Sequence, residues 1–202
     1  MKLNVRNCPR EREVKFTIRS SKLAKETALA LGASIVGRSH QMDRYLMNPC
    51  RKTNLAREAL RLRHEGTDHR LTYKGPRRRS AVTDRPEIEC TIGDPLSMEE
   101  ILTRLGFRKL VDVRKVRNIY ELQNFRICID VVQDLGSFSE IEYCREGRKL
   151  TRKITTRMTR LARELGAVGP RISRSYPEML LEKEKRSLRS GEARNASLLG
   201  ST

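Results

Sequence analysis

Acidic side chains recur along this chain in pairs whose two members are separated by one residue. The pairs in predicted strands are Glu11 and Glu13, Glu87 and Glu89, and Glu140 and Glu142; a fourth pair, Glu182 and Glu184, is discounted because it lies in a predicted helix, where this spacing diverges. If these segments are β-strands, both carboxylates of a pair lie on one face, because strand side chains alternate with a period of two. Carboxylates crowded on one face repel each other unless a cation lies between them. Mg²⁺ is a suitable cation, since it binds a few carboxylate oxygens together with substrate phosphates.

Basic side chains show the same spacing in the middle of the chain. The basic positions are Arg61 and Arg63, Lys115 and Arg117, and Lys74, which shares a strand face with Thr72. Two more ionisable residues fit the pattern: Lys15 follows the first acidic pair, and Asp130 lies between two apolar residues. Arginine binds phosphate oxygens bidentately and lysine binds them as a point charge. The basic strands therefore favour a phosphate ligand.

The order of these strands favours one charged cavity. Acidic strands stand near both ends of the domain and basic strands stand between them. If the alternating apolar side chains pack outward, the charged ones face inward and could surround a metal-bound polyphosphate. For any single pair the alternative is a half-exposed strand whose charges lie in water. The number and order of the pairs favour the cavity.

The elements that must position these residues are mostly strands. Strands are predicted over residues 10–18, 41–47, 59–63, 70–74, 85–90, 108–123, 126–133 and 135–143. Helices are predicted over 23–31, 97–105, 146–165 and 177–185, with N-caps at Ser20-Ser21 and Ser97 for the first two. Short connections without regular βαβ alternation favour an α+β fold with a largely antiparallel sheet, and a barrel would close such a sheet.

Composition narrows the class of protein. The chain has 202 residues, 37% of them hydrophobic, with a formal charge of +18 and a pI near 10.3. Such a charge attracts polyanions, and nucleic acid, anionic membranes and nucleotide phosphates all qualify. The five scattered cysteines, without a C-x-x-C pair, indicate free thiols in a reducing cytoplasm. No signal peptide or long apolar run is recognised, so we expect a cytoplasmic protein without a membrane partner.

Taken in order, these motifs resemble the CYTH superfamily, which joins class IV adenylyl cyclases and thiamine triphosphatases. The matching segments are Glu11-x-Glu13-x-Lys15, Arg61-Leu-Arg63, Leu71-Thr-Tyr-Lys-Gly75, Glu87-Ile-Glu89, Lys115-x-Arg117, Asp130 and Leu135-Gly-x-Phe-x-Glu-Ile-Glu142. The resemblance covers roughly residues 8 to 185. We therefore expect a CYTH domain over residues 1–185 and a disordered basic tail over 186–202.

The resemblance implies a triphosphate tunnel, an antiparallel eight-stranded β-barrel with flanking helices. It implies that Arg61, Arg63, Lys74, Lys115 and Arg117 bind the triphosphate. It implies one or two Mg²⁺ or Mn²⁺ ions held by Glu11, Glu13, Asp130, Glu140 and Glu142, with Lys15, Glu13 and Glu142 in catalytic roles. Glu87 and Glu89 are expected to be either metal ligands or ion-pair partners of the basic residues that line the wall of the tunnel.

Other segments resemble the class IV cyclase branch: Gln41-Met-Asp43 with Tyr45, Glu58 to Arg63, and Ser175 to Lys183. One departure is Ala56-Arg57, where the branch pattern leads us to expect Thr-Asp. The branch implies conversion of ATP to 3′,5′-cyclic AMP and pyrophosphate, and the alternative is an inorganic, nucleoside or thiamine triphosphatase acting through the same site. The partner expected is thus ATP or another triphosphate, and a homodimer stays open.

A third reading is a non-enzymatic module that binds RNA or another polyanion. The basic segment from Arg145 to Arg163 and the loop Arg77-Arg78-Arg79 favour it. Against it, the chain has only four Phe, five Tyr and no Trp for base stacking. The three carboxylate pairs would also repel a nucleic-acid backbone. We therefore do not expect a nucleic-acid partner.

Overall fold

The structure, a computed structural model, describes residues 10–51, 54–78, 80–145 and 150–199, the last nine by their backbone alone. Its strands are β1 (Arg10–Ile18), β2 (Ser34–Met47), β3 (Ala59–Glu65), β4 (Asp68–Lys74), β5 (Thr83–Thr91), β6 (Arg108–Leu122), β7 (Phe125–Val132), β8 (Gly136–Tyr143) and β9 (Ala167–Val168). Its helices are α1 (Ser21–Ala30), α2 (Pro95–Arg104), α3 (Arg152–Glu164) and α4 (Tyr176–Leu199).

Eight of the strands form a closed antiparallel barrel. They pair in the order β5-β4-β3-β2-β6-β7-β8-β1, and β1 pairs with β5 to close the ring. The two-residue strand β9 is added beside β1. Closure leaves no free edge among the eight strands and separates an inner face from an outer one. The predicted α+β fold with an eight-stranded barrel and flanking helices is confirmed.

The outer face of β1, β7 and β8 carries the larger apolar core. On β1, Val14, Phe16 and Ile18 are buried in this core. The helices α1 and α3 cover it, and Met158 and Leu161 of α3 are fully buried. Because apolar residues alternate with charged ones along β1, packing the helices outside turns Glu13 and Lys15 inward. The helices therefore orient the charged face.

A second apolar cluster lies on the inner face and is completed by the first residue of α4. Tyr45, Val113, Val132 and Phe138 belong to it together with Tyr176. Each of the four strand residues lies two positions from an ionisable residue of the inner face, so the cluster continues that face along the strands. We call these five residues the apolar plug. It gives the polar interior a packed apolar boundary.

Several elements begin earlier than predicted from the sequence, among them β2 and α2. Strand β2 starts at Ser34 and not at residue 41, with a register shift between Ile35 and Gly37 where it pairs with β6. Helix α2 starts at Pro95, and its N-cap is Asp94, whose carboxylate accepts the amides of Leu96 and Ser97. The predicted cap at Ser97 was wrong, because proline fits the first helical turn and Asp94 already satisfies the amides there.

The two later helices also differ from their predicted bounds. Helix α3 is observed from Arg152, and residues 146–149 of the predicted helix lie outside the described part of the chain. Helix α4 runs to Leu199 through the segment predicted as a disordered tail. Pro177 lies in its first turn, where proline is tolerated, and no proline follows to break it. The domain division at residue 185 stays a prediction.

Candidate active site

A cavity inside the barrel collects most of the charged residues singled out in the sequence. It encloses about 580 Å³ of space not filled by protein atoms, counting its open mouth. It is lined by Glu11, Glu13, Lys15, Tyr45, Ala59, Arg61, Lys74, Arg77, Thr83, Arg85, Lys115, Arg117, Glu140, Ser173, Arg174, Ser175 and Tyr176. Strands from both ends of the chain and from its middle therefore contribute to the lining of one cavity, as the order of the motifs predicts.

The basic side of the cavity comes from β3, β4 and β6. Arg61, Lys74, Lys115 and Arg117 all line it, and the side chain of Lys115 is only 3% exposed. Burial, together with the neighbouring Arg117 cation, lowers the pKa of Lys115 to about 8. A phosphate placed against these groups would relieve their mutual repulsion. The wall is thus suited to a polyanion that can enter a narrow space.

The acidic side of the cavity comes from β1 and β8, which are neighbours in the barrel. Lys15 is paired in register with Glu140, and Glu13 with Glu142. Burial raises the pKa of Glu13 to about 8, and the negative charges of Glu140 and Glu11 add to the shift. Carboxylates so crowded favour a bound cation or proton between them.

Ion pairs join the two sides. The ammonium of Lys74 lies 2.6 Å from a Glu11 oxygen and 3.0 Å from a Glu87 oxygen. A second group of ion pairs is centred on Glu140 of β8, which contacts Arg117 of β6 and lies 3.0 Å from the Lys15 ammonium of β1. Burial opposes ionisation of Glu140, but Lys15 and Arg117 outweigh it and hold its pKa well below the usual range. The walls are therefore complementary in charge.

The donor set of the acidic side fits a hard divalent cation. Glu11, Glu13 and Glu140 supply carboxylate oxygens to the same cavity. In the described part of the chain no three acidic, histidine or cysteine side chains converge tightly enough to form a preformed metal cage. Mg²⁺ does not require one, because it commonly combines one or two carboxylates with waters and substrate phosphates. Burial and the charges of Glu140 and Glu11 raise the pKa of Glu13, and a bound cation would oppose that shift by stabilising the charged carboxylate.

The structure places the remaining predicted residues around this cavity without making them its lining. Arg63 donates two hydrogen bonds, of 2.6 and 2.7 Å, to the carboxylate of Asp43. Glu142 has a side chain that is 33% exposed, and partial burial and the charge of Glu11 raise its pKa. Glu89 accepts hydrogen bonds from Thr72 and Arg70. Glu87 pairs with Lys74, and Glu89 pairs with Arg61. Both carboxylates therefore contact residues of the basic side of the cavity.

Asp130 is fully buried and satisfied by other groups. Arg117 donates to both of its carboxylate oxygens, at 2.7 and 2.5 Å, and the Tyr176 hydroxyl donates to one of them at 2.9 Å. These are the contacts of a counter-ion for Arg117. Its assignment as a metal ligand stays a prediction, and so do the metal and catalytic assignments of the other carboxylates.

Several residues of the site were missed as functional candidates, among them Asp43, Tyr176 and Arg85. Asp43 is 1% exposed and lies among Arg63, Arg61 and Lys115, while Tyr176 and Arg85 line the cavity itself. Arg85 donates to the main-chain carbonyls of Gly75 and Lys74 and so braces the wall. The Gln41-Met-Asp43 motif was the one available signal for Asp43. For Tyr176 the signal was its place in the segment from Ser175 to Lys183, which resembles the class IV cyclase branch. That resemblance implied no role for Tyr176 itself.

Comparison with known proteins supports the same grouping. A family model described as the CYTH domain matches residues 9–176. A protein of Methanocaldococcus jannaschii named "Putative adenylate cyclase" is 35% identical over 132 residues, which cover 65% of this chain and 75% of that protein. The solved structure of the PH1819 protein from Pyrococcus horikoshii is 32% identical, with a TM-score of 0.74, covering 86% of this chain and 99% of that one.

A more distant structure shows the same fold. It is described as "Putative adenylyl cyclase HpAC1 from Hippeastrum reveals a dominant triphophatase activity", and it is 18% identical with a TM-score of 0.60, covering 82% of this chain and 92% of that one. Separately, none of the helices in the described residues combines the length and apolar character needed to cross a membrane. The motifs, the closed barrel and the match over residues 9–176 agree, and the chain belongs to the CYTH domain family.

Proposed function

We propose that this chain is a metal-dependent enzyme that cleaves a triphosphate substrate held inside its barrel. One observation carries the proposal: Arg61, Lys74, Lys115 and Arg117 face Glu11, Glu13 and Glu140 across a single cavity. A triphosphate with its counter-cation matches this arrangement in both charge and chemical class. A surface that only attracted polyanions would not need buried carboxylates among its cations.

The proposed roles follow from position. The guanidinium groups of Arg61 and Arg117 and the ammonium groups of Lys74 and Lys115 bind phosphate oxygens and stabilise charge on the leaving group. Glu11, Glu13 and Glu140 would hold Mg²⁺ or Mn²⁺, with Glu142 and Asp130 as further members of the predicted set. Lys15, whose ammonium lies beside Glu140, would neutralise phosphate charge or, in a hydrolytic reaction, help to position water. When bound, the metal ion supplies Lewis-acid polarisation of the phosphates and acidifies the attacking oxygen.

Adenylyl cyclase activity is the first specific candidate. In this reaction the ribose 3′-oxygen of ATP attacks the α-phosphorus, a P–O bond forms, and pyrophosphate leaves as the bond to the β-phosphate oxygen breaks. No protein nucleophile is required. The 35% identical archaeal relative carries an adenylate cyclase name, and its likeness to this chain supports the candidate.

Triphosphate hydrolysis is the second candidate, and the lining of the cavity favours it. The aromatic residues of the lining are Tyr45 and Tyr176, which are 7% and 5% exposed. Neither ring is open for stacking on a nucleobase, whereas the phosphate-binding groups are plentiful. In this reaction water attacks the terminal phosphorus, the bond from that phosphorus to the bridging oxygen breaks, and the diphosphate leaves, so that the attacked group becomes orthophosphate. The triphosphatase activity stated for the Hippeastrum protein of the same fold supports this possibility.

Product analysis separates the two candidates. The protein is incubated with Mg²⁺ or Mn²⁺ and, in separate reactions, with ATP, tripolyphosphate or thiamine triphosphate. Cyclic AMP with an equal amount of pyrophosphate identifies the cyclase, and orthophosphate without a cyclic product identifies the hydrolase. Glu13→Gln serves as the site variant, and Glu26→Gln, on the exposed face of α1, is the matched control. Equal turnover by the wild type and a folded Glu13→Gln variant would remove the assignment of the site.

We place this reaction in the cytoplasm, because Cys50, Cys90, Cys128 and Cys144 are all free thiols in the described part of the chain. Three of them are exposed, and an oxidising compartment would put them at risk of disulfide formation. The homodimer considered from the sequence is tested by light scattering during size-exclusion chromatography.

A further inference from the structure

Tyr176 occupies an unusual position for the first residue of a helix. It is 5% exposed, it belongs to the apolar plug through contact with Phe138, and it also lines the charged cavity. Its ring therefore has an apolar side and a charged side. A residue that only filled the apolar plug would not need a hydroxyl, and the hydroxyl is the part of Tyr176 with the most specific contact.

The ring of Tyr176 lies against the ammonium of Lys15. The Lys15 nitrogen is 4.0 Å from the ring centroid, and the Lys115 nitrogen is 5.2 Å from it. A cation over an aromatic face at this distance is attracted by the ring quadrupole, more strongly where water is excluded. The Lys15 side chain is 6% exposed. The ring therefore gives Lys15 a preferred position that its salt bridge to Glu140 alone would leave less constrained.

The hydroxyl of Tyr176 acts on the opposite part of the site through Asp130. It donates to an Asp130 oxygen at 2.9 Å, and that carboxylate accepts two hydrogen bonds from Arg117. Two parallel hydrogen bonds fix the orientation of a guanidinium group. Tyr176 thus reaches Lys15 with its ring and Arg117 with its hydroxyl, although these residues lie on β1 and β6.

The chain around Tyr176 is anchored at points that make such a role feasible. The amide of Ile172 donates to the carbonyl of Lys15 at 2.8 Å. Glu178 accepts a hydrogen bond of 2.5 Å from Arg77 and bonds of 2.7 and 2.6 Å from the amide and hydroxyl of Ser175. The beginning of α4 is therefore tied to the barrel on both sides of Tyr176, and the ring cannot move freely from the cavity.

We propose that Tyr176 is a positioning residue of the triphosphate site, whose ring orients the Lys15 ammonium and whose hydroxyl orients Arg117 through Asp130. This inference rests on the proposed function for its meaning, but it concerns contacts that can be measured without turnover. The competing explanation is that Tyr176 only packs against Phe138. The two explanations differ for Tyr176→Phe, which keeps the ring and removes the hydroxyl, and for Tyr176→Leu, which removes both.

Binding of tripolyphosphate measured by calorimetry in EDTA tests the hydroxyl. Tyr176→Phe should weaken the affinity by about tenfold, because a hydrogen bond to a charged group is lost and Arg117 is less well held. Tyr143→Phe is the matched control, since Tyr143 is a buried tyrosine that packs against Phe125 in the larger apolar core, on the outer face of the barrel. An affinity of Tyr176→Phe equal to that of the wild type would overturn the role of the hydroxyl.

Lysine side-chain NMR tests the ring and needs no ligand. The ε-methylene signal of Lys15, assigned with Lys15→Met, should be shifted upfield by the ring current. It should stay shifted in Tyr176→Phe and move to an ordinary position in a folded Tyr176→Leu variant. An unshifted signal in the wild type would overturn the role of the ring, even if no triphosphate bound. Normal tripolyphosphate binding with no turnover of any substrate would instead reject the proposed function and leave this inference standing.

Discussion

Glu13 is the residue at which the requirements of stability and of the proposed chemistry oppose each other. Its side chain is 13% exposed, and burial with the nearby charges of Glu140 and Glu11 raises its pKa from 4.5 to about 8. A carboxylate that must ionise to hold a cation is therefore kept in surroundings that disfavour ionisation. Such conflict is common where residues serve a site and not the fold.

Replacing Glu13 with Gln should stabilise the protein and remove its activity. A raised pKa means that the stability contributed by the neutral carboxyl is present below pH 4.5 and is lost as the pH rises through about 8. Glutamine does not titrate, so the free energy of unfolding of Glu13→Gln should exceed that of the wild type increasingly over this interval. The excess near pH 8 should be on the order of 1–3 kcal/mol, with turnover reduced about a hundredfold or more.

Urea denaturation in EDTA at about pH 5 and about pH 8, with Glu26→Gln as control, measures this difference. A Glu13→Gln variant that was less stable than the wild type at the higher pH would contradict the account. So would a stability difference that did not depend on pH, because that would remove the titration of Glu13 as its cause.

Asp43 shows the opposite balance, in which a buried charge supports the fold. Burial opposes its ionisation, but Arg63 and Arg61 outweigh it and hold the pKa of Asp43 well below its usual range. Asp43→Asn would leave these guanidinium groups and Lys115 without that counter-ion. The free energy of unfolding should fall by about 3–5 kcal/mol.

Thermal and urea denaturation check this prediction, with Asp68→Asn as the control. Asp68 pairs with Arg70 on β4, but both side chains are more than 40% exposed, and exposed pairs contribute little. Equal stability of the two variants would show that Asp43 is not the counter-ion that the interior requires.

Among the elements, the start of α4 is the one whose position most directly affects the cavity. Ser173, Arg174 and Ser175 line it, and Glu178 ties this segment to Arg77. Glu178→Gln keeps the shape of the side chain and removes its charge. Burial opposes ionisation of Glu178, but hydrogen bonds from Arg77 and Ser175 keep its pKa lowered, so the charged form is the one that makes these contacts.

We therefore expect Glu178→Gln to loosen this segment without unfolding the barrel. Hydrogen–deuterium exchange should increase in peptides covering residues 170–178, including the Ile172 amide bonded to Lys15, while β7 and β8 keep their protection. Glu184→Gln, exposed on the same helix, is the matched control. Unchanged exchange in the segment, or a uniform increase through the whole barrel, would refute a local tie.

Several elements could be predicted from the sequence because their residues alternate strictly. Polar and apolar residues alternate from Glu13 to Ile18 in β1, and its predicted bounds of 10–18 agree with Arg10–Ile18. The first part of β2 could not be found this way, because Ser34 to His40 is largely polar and exposed and includes Gly37. Its pairing with β6 holds it extended, which is a contact distant in sequence.

The same distinction explains the site. Residues such as Arg61 and Lys115 could be predicted as inward-facing because their own strands mark the charged face. Asp43 and Tyr176 acquire their roles only when β2 closes beside β3 and when α4 docks on the barrel. No local pattern reports either event. A contact between Tyr176 and Lys15, far apart in the sequence, depends on the complete fold.

At the scale of the whole molecule, the closed barrel separates the charges that face its interior from the charges outside it. The interior carboxylates pair with interior lysines and arginines, for example Glu11 with Lys74 and Asp130 with Arg117. The cavity lining still holds eight basic residues against three acidic ones, so most, but not all, of the excess of +18 is carried by the rest of the chain. A positive exterior raises the local concentration of anionic substrates near the mouth of the cavity. Because the interior carboxylates are separated from this exterior, they do not decide whether the exterior binds a nucleic acid.

The central claim is that a triphosphate and its cation bind between the two walls of this interior. Its most direct test is a crystal structure with tripolyphosphate and Mn²⁺, in which anomalous scattering locates the metal independently. We predict phosphate density in contact with Arg61, Lys74, Lys115 and Arg117, and Mn²⁺ bound to carboxylates of β1 and β8. Phosphate and metal found only on the outer surface, with the interior ion pairs unchanged, would contradict the claim.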